Sequence, residues 1–119
     1  MPTIRLPANL ESVRAAREFV ASAVPGPPGS ELRDAATLCV TELVANVIRH
    51  TESETCELSV DWSEGSLYLA VQDDSRSPAR RVCPGAEAGR GMQIVDALSA
   101  DWGVTEKEGN GKVVWVRLN

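Results

Sequence analysis

From position 56 to position 73 the chain reads CELSVDWSEGSLYLAVQD, and its hydrophobic period is two. Cys56, Leu58, Val60 and Trp62 alternate with Glu57, Ser59 and Asp61, the pattern of a strand with one face in the core. Glu64-Gly65 supplies a turn, after which Leu67, Leu69 and Val71 alternate again until the run closes at Gln72-Asp73-Asp74. The two runs predict an antiparallel hairpin whose one apolar face must be covered by other elements.

Upstream the period is helical. Leu10, Val13, Ala16, Val20 and Val24 recur at helical spacing behind Asn9, which is suited to cap a helix, and Glu11 lies in the first turn where the helix dipole favours negative charge. PGPPG (25–29) stops this helix and Ser30 starts a longer one, expected from Glu31 to Arg49, with Leu32, Ala36, Cys39, Leu43 and Val47 along its apolar stripe. Ahead of both, Thr3 to Leu6 reads as a short edge strand closed by Pro7.

Downstream, residues 75–88 are rich in Ser, Pro, Arg, Gly and Ala without periodicity, an irregular stretch of the length that functional lids have. GRGMQIVDALSADWG (89–103) then opens a short helix carrying Met92, Ile94, Val95 and Leu98. Trp102 to Thr105 and Val113 to Leu118 form a second hairpin turned at Gly109-Asn110-Gly111. The order predicts a single domain over residues 1–119, an α/β two-layer sandwich with a mixed, mainly antiparallel sheet of about five strands and three helices on one face. Trp62, Trp102 and Trp115 all fall in strands and read as core.

A chain of 119 residues can bury one core but not two. Its formal net charge of -5 argues against a phosphate-backbone partner, so nucleic acid is not expected, although Arg76, Arg80, Arg81 and Arg90 gather where they suit phosphate or an acidic protein. Cys39, Cys56 and Cys83 match no zinc or CxxC spacing and read as reduced thiols. No apolar run reaches the length of a membrane span and no leader is legible, so the expected location is the cytoplasm, away from membranes.

Three features carry chemistry. Glu42 and Asn46, four apart at the edge of the apolar stripe, project side by side, and a carboxylate beside a neutral amide suits a hard cation held by oxygen with a proton accepted nearby. The structural alternative is an ordinary solvated helix edge. Gly89 and Gly91 at a helix start let backbone approach a ligand and leave N–H groups for phosphate; the alternative is a plain hinge. Asp73, ending an apolar strand, can accept from an exocyclic amine, or can merely start a turn.

Together and in this order, ELVANVIRH (42–50), Asp73, an irregular stretch, GRGMQIV (89–95) and a closing GKVVWVRL (111–118) resemble the histidine-kinase-like ATPases of the Bergerat fold. More narrowly they resemble the small bacterial anti-sigma regulatory factors with serine kinase activity, over nearly the whole chain. The resemblance implies that Asn46 holds the Mg2+ that bridges the ATP phosphates, that Glu42 is the general base, and that Asp73 reads adenine. It implies Gly89 and Gly91 at the phosphates and residues 75–88 as the ATP lid. Arg90, between those glycines and followed by Met92, suits a phosphate or a surface contact with a protein partner, and Arg49, on the Glu42 stripe, suits a solvated ion pair with that carboxylate or a phosphate. The implied reaction is γ-phosphoryl transfer from ATP to a serine of an anti-sigma antagonist protein, with a sigma factor as second partner and a homodimer as a common assembly.

The departures from that pattern are specific. Ser75 and Ser77 stand where glycines usually follow the aspartate, and Val113 replaces a threonine expected to help hold the adenine end. They motivate an alternative, a nucleotide-independent interaction module on the same fold. His50 is taken as structural support, and a metal-dependent hydrolase built on Glu42 and His50 lacks further ligands at metal spacing.

Overall fold

The computed structural model describes residues 2–24, 27, 30–50, 54–73, 90–106 and 111–119. Five strands and three helices follow in the order β1 (Thr3–Pro7), α1 (Leu10–Ala23), α2 (Glu31–His50), β2 (Thr55–Ser63), β3 (Ser66–Asp73), α3 (Arg90–Leu98), β4 (Asp101–Glu106) and β5 (Lys112–Leu118). The sheet order is β1-β2-β3-β5-β4. All four pairings are antiparallel, so the expected mixed sheet is corrected to a wholly antiparallel one. The α3–β4 excursion returns the chain to β3 from the far side, which puts β5 in the middle.

Local chemistry explains the element boundaries. Asn9 has an extended backbone (φ -139, ψ 169) and its Oδ1 accepts the Ser12 N–H at 3.1 Å, satisfying one of the orphan donors of α1. Ser30 Oγ accepts the Arg33 N–H at 3.3 Å at the start of α2, and Arg33 Nη2 donates to the Val24 carbonyl at 2.8 Å, tying the corner between the two helices. At the β2–β3 turn Glu64 and Gly65 have φ of 52 and 81, the left-handed pair of a two-residue turn whose twist matches the strands it joins.

The three helices cover one face, α1 on β1 and β2, α2 on β3 and β5, α3 on β4. Register aligns the inward positions across the sheet: Ile4, Leu58, Val71, Val114 and Val104 form one row, and Val60, Leu69, Val116 and Trp102 the next. Leu58, Leu69, Val116 and, from α2, Ala36, Cys39, Val40 and Val44 are fully buried.

Three apolar side chains depart from their expected places. Leu10 is 79% exposed, because the buried stripe of α1 advances in steps of four through Ser12, Ala16, Val20 and Val24 and leaves the first helical residue beyond the sheet. Trp62 is 41% exposed: β1 pairs with β2 only as far as Ser59, so Trp62 has a strand neighbour on one side alone. Trp115 points to the helix-free face, opposite Ala70 and Gly103, and is half-buried there, while Trp102 is buried as expected. A Cβ on Gly103 would lie 2.8 Å from the Trp115 ring, so only glycine fits beneath that indole.

Candidate functional site

Leu32 and Leu38 of α2, Leu98 of α3 and Leu118 of β5 line one surface groove. The first half of α2 therefore stands over the Leu118 end of the sheet, and the helix, rising about 1.5 Å per residue, carries its second half toward the end where β3 closes at Asp73 and β5 opens at Lys112. Because α3 finishes in that groove and packs on α2, its first turn lies away from the Leu118 end, toward the second half of α2. One end of the molecule thus gathers the second half of α2, the close of β3 and the start of α3, three segments distant in sequence. An α3 N-terminus there presents backbone N–H groups without helical partners, and the positive end of a helix dipole.

Asn46 is half-buried, and its Oδ1 is fully buried with no hydrogen-bond partner among the described residues. Leaving such an oxygen unmatched costs about 1–3 kcal/mol, a deficit that a bound cation or donor removes. Glu42, one turn earlier on the same face, is half-buried; the Cys39 thiol behind it is raised first by burial and then by the Glu42 charge. Together they push that thiol up to about 11. Arg49 is exposed, and no ion pair joins it to Glu42 among the described residues. Arg90, Gly91 and Met92 form the first turn of α3; their side chains, and that of His50 at the end of α2, lie outside what is described. Gly89, the proposed lid 75–88 with Ser75 and Ser77, and Cys83 also lie outside the described residues.

Asp73 is in phase with Leu69 and Val71, so it points under the helices rather than to solvent, and it is 1% exposed. Its row across the sheet reads Leu6, Cys56, Asp73, Lys112, Glu106. Lys112 Nζ stands 3.2 Å from Asp73 Oδ2, with angles short of an aligned hydrogen bond, so the attraction is that of an ion pair. On the other flank the Cys56 thiol is raised, first by burial and then by the Asp73 charge.

Lys112 is absent from the residues that sequence reasoning assigned to the site. The signal was available: Lys112 falls in the inward phase of β5, two before Val114 and four before Val116, where a cation must have a partner. Val113, by contrast, pairs with Gln72 and Thr105 on the helix-free face, so its missing hydroxyl does not bear on the Asp73 side chain. Lys112, not Val113, is the β5 residue that meets Asp73.

Among the described residues no three His, Cys, Asp or Glu side chains stand together at metal-binding spacing, and no helix is long and apolar enough to cross a membrane. A cation at Asn46 would have one protein ligand there and would draw the rest from phosphate and water, the manner in which magnesium is commonly held.

Compared with protein families, residues 6–118 match the family described as histidine kinase-like ATPase domain. No curated protein matches the chain significantly. Among solved structures, the histidine kinase domain of the blue-light activated histidine kinase EL346 from Erythrobacter litoralis is similar in fold, with a TM-score of 0.56 at 23% sequence identity. The match covers 87% of this chain and 60% of that one.

Proposed function

The chain belongs to the histidine kinase-like ATPase domain family, and from that membership we propose that it binds ATP with Mg2+ where α2, α3 and the Asp73 row converge. From the order and spacing of its motifs we propose further that it transfers the γ-phosphoryl group to a serine of an anti-sigma antagonist protein. The observation that carries the proposal is the buried, unpartnered Asn46 Oδ1. A neutral carbonyl oxygen in that state fits a hard cation, and Asn46 would hold Mg2+ through it. Held there by Asn46, the ion would supply charge neutralisation at the phosphates. The first turn of α3 would place backbone N–H groups against the phosphates, and Asp73 would accept the adenine amine.

In the transfer, the serine Oγ of the partner forms a bond to the γ-phosphorus while the bond to the β-phosphate oxygen breaks, releasing ADP; Glu42 takes the serine proton. Glu42 is suited to this because it is half-buried on the same helix face as Asn46 and one turn away. On this reading the protein works in the cytoplasm, a sigma factor is its second partner, and a homodimer is its assembly.

Calorimetric titration with ATP, with and without Mg2+, tests the binding site on wild type and Asn46→Ala. Saturable binding that needs both the metal and Asn46 is expected. Glu42→Gln should bind Mg-ATP as wild type does yet lose phosphoryl transfer to the antagonist protein, followed with radiolabelled γ-phosphate; a Glu42→Gln protein that still phosphorylates at the wild-type rate removes Glu42 as the base. No binding of ATP by the wild type at millimolar concentration would leave the nucleotide-independent interaction module as the reading to pursue.

A further inference from the structure

We propose that Lys112 is the second base-reading residue of the nucleotide site, donating to a ring-nitrogen acceptor beside the exocyclic amine that Asp73 accepts. The inference rests on the ATP-binding reading and adds to it a specificity residue. Its starting point is the ion pair itself. Asp73 and Lys112 side chains are 1% and 10% exposed and 3.2 Å apart, on a sheet face whose next row is apolar from Leu58 to Val114. A buried pair of this kind is commonly no more stabilising than apolar residues of the same volume, so stability alone does not account for it.

What the pair does provide is a hydrogen-bonding edge. An ionised carboxylate only accepts, and an ammonium only donates, through three N–H groups that a single carboxylate does not exhaust. A carboxylate by itself accepts from any base amine. With a cation about 3 Å away, it calls for a donor and an acceptor side by side. Adenine presents that pattern twice: the N6 amine lies beside N7 on one edge and beside N1 on the other. Both residues are held by paired central strands, β3 and β5, so their spacing is set before a ligand arrives.

The experiment compares ATP, 1-deaza-ATP and 7-deaza-ATP, each lacking one ring acceptor, by calorimetric titration in Mg2+ with wild type, Lys112→Met and Lys112→Arg. Wild type is expected to bind one of the two deaza analogues about ten- to a hundred-fold more weakly than ATP, the change that loss of a charge-assisted hydrogen bond brings. In Lys112→Met that difference should vanish, and in Lys112→Arg, which keeps a cationic donor, it should persist in part. Equal affinity of the wild type for ATP and both analogues overturns the proposal whether or not the variants fold. So does an unchanged preference in Lys112→Met, or tighter ATP binding by that variant, which would make Lys112 a competitor of the base. Should wild type bind ATP through Asn46 and Mg2+ but fail to discriminate, only this inference falls; if it binds no nucleotide, both readings fall together.

Discussion

Two rows of side chains on the helix-covered face of the sheet lie two residues apart and differ in kind. Ile4, Leu58, Val71, Val114 and Val104 make one, and Leu6, Cys56, Asp73, Lys112 and Glu106 the other. Leu58 and Asp73 are equally hidden, at 0% and 1% exposed. Strand geometry treats the rows alike, since both come from the inward phase of the same strands. At the end of the sheet where β3 closes and β5 opens, burial alone no longer accounts for the residues present.

The polar row should not tolerate being treated as core. Asp73→Ala strands the Lys112 ammonium in a buried place without its carboxylate and should lower stability by about 3–5 kcal/mol, read by urea unfolding. Replacing both partners with apolar residues, Asp73→Leu with Lys112→Met, should return stability to within about 1–2 kcal/mol of wild type while abolishing nucleotide binding. A double variant as unstable as the single one would show the pair to be structural, and the two rows would no longer differ in purpose.

The apolar rows should behave as ordinary core. Leu69→Ala, opposite Val60 and Val116, should cost about 3 kcal/mol in the same unfolding measurement without altering the Mg-ATP affinity of the folded protein.

Burial on α2 can be probed by pH. The folded Cys39 thiol is held up at about 11 against an ordinary 9.0, and it is fully buried. A raised pKa means that the folded state keeps the proton longer than the unfolded chain. Its contribution is therefore complete below pH 9.0 and is lost as pH rises toward 11, a decline of roughly 2–3 kcal/mol for a shift of this size. Urea unfolding of wild type against Cys39→Val at pH 8, 10 and 11 should show that decline in wild type only. The smallest effect belongs to Leu10→Ala: with the side chain 79% exposed, stability should change by less than about 0.5 kcal/mol.

Periodicity made the hairpins and helices legible because each repeats a local rule many times. Asn9, Ser30 and Glu64-Gly65 marked boundaries because capping and left-handed turns demand those residue types locally. Glu42 and Asn46 were visible as polar residues at the edge of a stripe. Leu10 and Trp62 were misread because pattern reports a residue's phase and not how far the covering layer extends. Val113 was weighed where Lys112 belonged because a motif fixes a position to within a residue, whereas a strand changes face at every residue.

By itself, then, the sequence determined the elements, their order, the inward phase of each strand and the polar residues that break that phase, all properties of neighbours along the chain. That every strand pairing is antiparallel, that α3 packs on α2, and that Lys112 is the residue which answers Asp73 came from the packing of segments distant in sequence. Those outcomes depend on register and packing between segments far apart in sequence, as Thr3 and Ser59 or Asp73 and Lys112 are, and such contacts arise from the joint burial of all the elements rather than from any one stretch of them.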